Sequence, residues 1–220
     1  MNRLGDLVSQ LRVSIKATSD DSLYSDEYLY NTLRYIRNRL IANERGAVSP
    51  FNWQTVCIPL SKTKYHDCDC VDVGCDVLKT SQEIPTVVVK NSKPLIRVRT
   101  FDGHILHYVT PNRQKHNKHS ETLSDAPAYY IQNGKLIVWN TFDFKAIMVE
   151  GVFEDPTELS NISICNSDGD VYSQCTYDVN AQPFPINDKL LDRMMSEALR
   201  RILGIYNVPN DIVNEGNSNV

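Results

Sequence analysis

The sequence predicts an α+β chain: a small helical core, made of N-terminal helices plus a C-terminal helix, that brackets an inserted antiparallel β-sheet or small barrel and ends in an extended C-terminal arm. Three observations predict it. Apolar residues recur at helical spacing near both ends of the chain, β-branched runs separated by Gly-containing turns fill the middle, and the last residues are rich in Asn and Asp. The corresponding division is 1–46 with 182–206 as the helical core, 47–181 as the inserted β-rich domain and 207–220 as the arm.

The first segment, 3–16, carries Leu4, Leu7, Val8 and Leu11 at helical spacing and reads as a short helix, with Val13 and Ile15 drifting into alternation. The polar run 17–24 is a linker. The strongest helix covers 26–44, where Leu29, Leu33, Ile36 and Leu40 form one apolar stripe and Arg34, Arg37, Asn38 and Arg39 fall mostly off it. Ser25 is its expected N-cap, Asp26 and Glu27 suit the positive end of the helix dipole, and Gly46 supplies a stop. One apolar stripe needs a partner surface. The partner is 187–203, capped by Asn187, with Leu190, Leu191, Met194, Met195, Ala198, Leu199, Ile202 and Leu203 on a wide apolar face and Gly204 at its end.

Between them, 53–60 reads as a strand that Pro59 places at an edge or ends. A cysteine-rich loop, 66–75, precedes a short strand at 76–78. Thr86 to Val89 is β-branched, and 95–100 alternates Ile96 and Val98 against Arg97 and Arg99. Asp102-Gly103 signals a type I′ hairpin into 105–109, a polar loop covers 111–125, and Asn133-Gly134 joins 128–131 to 135–139. The last strong strand is 145–153. Asp155 is placed to cap a turn at 156–159, and 161–181 reads as irregular.

Composition bounds the function. The chain has 220 residues, 41% hydrophobic and 23% charged, as an ordinary globular protein does, and its net charge of −4 gives no global basic footprint for nucleic acid. No apolar run approaches the roughly 20 residues that span a bilayer. The N-terminus lacks the apolar core of a secretory signal, so synthesis in a reducing cytoplasm is expected, with the six cysteines as thiols or metal ligands rather than disulfides.

Chemistry is sparse. Cys68, Cys70 and Cys75, with His66 or Cys57 nearby, supply the sulfur and imidazole donors zinc prefers, and a structural zinc is one reading of His66, Cys68, Cys70 and Cys75. The C-x-C-x4-C spacing departs from paired C-x2-C units, so a thiol-rich turn and a disulfide formed after release from the cell stand beside it. Cys165 and Cys175 read as separate buried thiols, with joining the cysteine-loop site in space as the alternative. His104 and His107 lie on a strand at odd spacing, which puts them on opposite faces, and His116 and His119 sit in the one basic loop, 112–119, a solvated surface or a contact for an acidic neighbour, with a salt-dependent phosphate contact as the alternative. No phosphate-binding, zinc-protease, serine-hydrolase or dinucleotide motif occurs, and no catalytic or cofactor-binding residue is assigned.

The order of features resembles a family of virion proteins from crAss-like tailed bacteriophages. The likeness rests on LYSDEYLYNTLRYIRNRLI, the strand VCIPL, the loop HDCDCVDVGCDVLKTSQEIP, IRVRTFDGHILHYVTP, AYYIQNGKLIVWN, VEGVFEDPTEL and the proline-led last helix with its PND arm. It spans nearly the whole chain, with the cysteine loop and Val152-Phe153-Glu154-Asp155-Pro156 its most specific pieces. The resemblance implies a non-enzymatic head-to-tail ring or adaptor protein, located in the virion's portal–tail region. It implies a dodecameric homo-oligomer that contacts the portal and adjacent tail rings, with genomic DNA passing through non-specifically and no membrane involved. The strands of 93–109 and the arm after Gly204 are the expected contact devices, since unpaired strand edges recruit neighbours. The alternative reading is a soluble β-rich protein-binding module, zinc-stabilised at the cysteine loop.

Overall fold

The computed structural model describes residues 3–18, 24–64, 76–110, 127–139, 144–165, 171–174 and 182–204. Within them three helices pack together beside a closed seven-stranded barrel, so the α+β expectation holds. Helix α1 spans Leu4–Thr18. It runs unbroken through Val13 and Ile15, because Ile15 extends the buried row Leu4, Leu7, Leu11 while Val13 faces outward. Helix α2 spans Asp26–Ala42, and Ser25 caps it by accepting from the Tyr28 N–H at 3.2 Å. Helix α3 spans Asp188–Ile202, with the Asn187 side chain accepting from Leu190 N–H at 2.8 Å. Their apolar faces meet in one core: Leu7 and Leu11, Leu29, Leu33 and Ile36, and Met194 and Ala198 are all fully enclosed.

The barrel is formed by β1 (Gln54–Lys64), β2 (Asp76–Thr80), β5 (Ile96–Arg99), β6 (Ile105–Tyr108), β7 (Ala128–Gln132), β8 (Lys135–Trp139) and β9 (Ala146–Gly151), in the order β1-β2-β8-β7-β6-β5-β9. Two small sheets accompany it: β3 (Val89–Lys90) with β4 (Lys93–Pro94), and β10 (Ser163–Cys165) with β11 (Val171–Gln174). Alternation sends every second side chain inward. Val56, Val149, Val98 and Leu106 lie side by side across β1, β9, β5 and β6 and form a belt in the barrel interior. The intervening register places Arg97 and Arg99 outside, where both pair with Glu150, at 3.5 and 2.6 Å.

Several expectations change. Pro59 neither ends β1 nor marks an edge. The strand passes through it at the point where its partner switches from β9 to β2, so the missing N–H falls between two ladders while the Pro59 carbonyl still accepts from Ser81. The sheet is antiparallel except between β6 and β7, which pair in parallel through His107 and Tyr108. Residues 161–181 are not wholly irregular, since they hold β10 and β11, strands too short to show periodicity. At Asp102-Gly103 only Gly103 has positive φ (88°), and Thr100 N–H bonds His104 O across a three-residue loop rather than a type I′ turn. Asn133 and Gly134, at φ 50° and 72°, do form the I′ hairpin. A second hairpin turn at Asn91-Ser92, φ 50° and 62°, was not marked in the sequence by any glycine. Finally, β5 and β6 are flanked on both sides, so the barrel's closure removes the free edges expected at 96–108, while β4 pairs with β3 in a two-stranded sheet of its own.

One segment joins the two layers. Val87 pairs with Phe153, and both enter the barrel interior, whereas the adjacent Val88 and Val152 point into the helical core. Consecutive residues on two extended strands thus serve opposite layers. A Cβ on Gly151 would lie 3.0 Å from the Phe153 ring and 3.4 Å from Val87, so this join needs the glycine for space.

Candidate functional site

Helix α2 organises what the molecule presents. Its inner edge carries Arg37, which is wholly buried although its charge suggested a position off the apolar stripe. The guanidinium donates from Nε to Pro185 O and from Nη1 to Phe153 O and Asn38 Oδ1, each at 2.8 Å, and lies over the Phe184 ring. One side chain therefore ties α2 to the barrel exit and to the approach of α3. No short-range sequence signal marks its burial, because the two carbonyls it binds lie more than a hundred residues away.

Beside it, Asn38 donates to Glu154 O, while the Asp155 carboxylate accepts from Tyr30 Oη, Arg34, Thr157 N and Thr157 Oγ1. Asp155 also caps the 3₁₀ turn Pro156–Asn161, as its position before Pro156 suggested. Burial opposes its ionisation, but the hydrogen bonds from Thr157, Tyr30 and Arg34 outweigh burial and hold its carboxyl below the ordinary range. Burial and the bond to Asp155 push the Tyr30 phenol up. Glu154 and Glu158 stay exposed on the same flank, and burial followed by the charge of Asp155 raises the Glu158 carboxyl. This acidic corner coincides with the Val152–Pro156 stretch of the sequence resemblance.

The other flank is aromatic and cationic. Tyr35 is 52% exposed, with the guanidinium groups of Arg39 and Arg201 at 5.9 and 4.6 Å from its ring centre. Arg39 also pairs with Glu197. Tyr28, one heptad before Tyr35 and likewise exposed, stacks on Tyr24. The sequence reading missed this stripe, although two tyrosines seven apart off the leucine row were the signal that could have found it. Near the barrel end lies an open cleft of about 670 Å³, lined by Phe51, Trp53, Gln54, Pro183, Phe184 and Leu191.

The predicted metal ligands His66, Cys68, Cys70 and Cys75 lie outside the described residues, as do Cys175, His116, His119 and the basic loop. Among the described residues no group of three or more His, Cys, Asp or Glu is arranged to hold a metal. Cys57 corrects the expectation for the cysteines: it is disulfide-bonded, and so is neither a thiol nor a spare ligand. His104 and His107 are both exposed.

The barrel is packed with its own side chains, the helices are pinned to it by Arg37 and Asp155, and α2 exposes tyrosine–arginine stacking, a pairing enriched where contacts between proteins carry energy. The family comparison makes this specific. The chain matches phage tail ring protein 2 over residues 6–220 and belongs to that family of crAss-like phage ring proteins. No curated protein matches it. A structural role in the virion as part of a tail ring follows from the family, and no helix among the described residues is long and apolar enough to cross a membrane.

Proposed function

We propose that this chain forms a closed, dodecameric ring in the connector between portal and tail, where it contacts the portal and neighbouring ring proteins and surrounds the passage through which the genome leaves. The role is non-enzymatic. The observation that carries the reading is the family match across nearly the whole chain. Supporting it, the exposed stripe on α2 offers contact surface, and the net charge of −4 suits a bore that DNA traverses without adhering. The arm after Gly204 serves assembly, and any zinc at the cysteine loop is structural.

Native mass spectrometry of the purified protein, paired with subunit counting in particles, tests the reading. A closed oligomer in either setting supports it. A chain that stays monomeric alone and is absent from particles overturns it in favour of a transient binding module. A particle map with Lys115 and Lys118 lining the bore would refute the acidic passage. Truncation after Gly204 is expected to leave a folded protein that no longer enters particles.

A further inference from the structure

We infer that neighbouring copies of this chain join through the two flanks of α2, the Tyr35–Arg39–Arg201 surface of one copy seating against the Glu154–Glu158 corner of the next. The inference rests on the ring reading and names the surfaces that would close the ring.

A closed ring needs two different surfaces that complement one another and face in roughly opposite directions. Helix α2 supplies both. At about 100° per residue, Tyr35 and Arg39 lie on one side of its exposed arc and Tyr30 and Arg34, which hold Asp155, lie roughly 140° away on the other. The first side adjoins α3, as the stacking of Arg201 on Tyr35 and the Arg39–Glu197 pair require. The second adjoins the barrel exit, where Asn38 and Arg34 reach Glu154 O and Asp155. The two surfaces therefore flank the molecule's exposed helix instead of sharing one face.

Their chemistry is complementary. On the first side Glu197 answers Arg39, and the exposed Arg201 on the Tyr35 ring and the exposed Arg200 one residue before it have no carboxylate within ion-pair distance among the described residues. On the second side Arg34 answers Asp155, which leaves the exposed carboxylates of Glu154 and Glu158. Each flank thus has an internally satisfied pair that orders it and an outward surplus of opposite sign. The Tyr35 ring, already in contact with two guanidinium groups, contributes area with little further loss of side-chain freedom. Opposed charge across such a contact steers encounter and sets register, while like charges placed together cost several kcal/mol.

A charge exchange tests this. Arg201→Glu reverses the first flank and Glu158→Lys the second. Both positions are exposed and neither touches the core, and thermal unfolding of each variant confirms the fold. In particles produced with only one variant supplied, each is expected to fall at least about tenfold in incorporated copies. Supplied together they are expected to recover to within about twofold of wild type, since each reversed flank then meets a reversed partner. Tyr35→Ala, which leaves every charge in place, is expected to weaken incorporation without rescue by either charge variant. Single variants that assemble as wild type does, or a pair that fails to restore assembly, would overturn the assignment while leaving a wild-type ring standing. Wild-type protein that forms no ring alone or in particles would overturn the ring and this contact with it.

Discussion

Replacing Arg37 by Met is the most direct probe of how the two layers are held together. Met matches much of the volume but donates nothing. Phe153 O and Pro185 O, both now bonded at 2.8 Å inside the protein, would lose their donor. An unsatisfied buried carbonyl costs about 1–3 kcal/mol, so the two together cost about 2–6 kcal/mol. Asn38 Oδ1 adds little, since it sits where water reaches it. Against this, the mutation relieves the burden of holding a guanidinium away from water, a contribution that is itself several kcal/mol for a buried ion but is here already met by three hydrogen bonds and the Phe184 ring. The net expectation is a loss of about 2–4 kcal/mol. Urea unfolding followed by the fluorescence of Trp53 and Trp139 reads it, with a midpoint shift of about 1 M at an unchanged slope. Arg37→Lys should fall between, because one ammonium does not span two carbonyls that Nε and Nη1 reach separately. A shift worth less than about 0.5 kcal/mol would refute the role of this side chain as a pin and mark it as merely accommodated.

Gly151→Ala should destabilise the protein by about 1–3 kcal/mol, because the new methyl meets the Phe153 ring and Val87 at the join; calorimetry showing an unchanged or higher Tm would refute the close approach. Asp155 predicts a pH signature. Its folded-state carboxyl lies below the ordinary value of about 3.9, so its contribution is present above that pH and is lost as pH falls through the lower folded value. Asp155→Asn should therefore be less stable than wild type at neutral pH and lose less on acidification below about pH 4; parallel stability–pH curves would show that the carboxylate's hydrogen bonds carry no such linkage. Thiol counting on protein purified without reductant should find no more than four reactive cysteines of six after denaturation, and all six after reduction, since the Cys57 disulfide removes two; six before reduction would refute the disulfide.

The parts of this molecule that its sequence determined by itself are those set by neighbours a few positions apart. Ser25 and Asn187 act as caps because the groups they satisfy lie three residues on. Asn133-Gly134 makes its hairpin because both residues accept positive φ, and the alternation of Ile96 and Val98 against Arg97 and Arg99 survives as inside and outside of a barrel wall. The leucine row of α2 and the apolar face of α3 required one another before any contact was seen, because neither stripe is stable in water. The tyrosines seven apart on α2 went unread, because nothing in their spacing alone tells whether they are exposed.

Tertiary structure decided the rest. Arg37 is buried because Phe153, Phe184 and Pro185 converge on it from 116 and 148 residues away, at least for the hydrogen-bonded pair, and no local pattern encodes that convergence. Barrel closure through the parallel pairing of β6 and β7 removed edges that the strands possess when read singly, and Pro59 passed inside a strand because the change of partner happens at that residue. The acidic corner and the arginine–tyrosine flank come from three separate stretches of chain and lie on different sides of α2 because it contacts both α3 and the barrel exit. Local hydrogen-bonding and periodicity are properties of a few consecutive residues; burial, pairing and the placement of charge are properties of surfaces that exist only once distant segments meet.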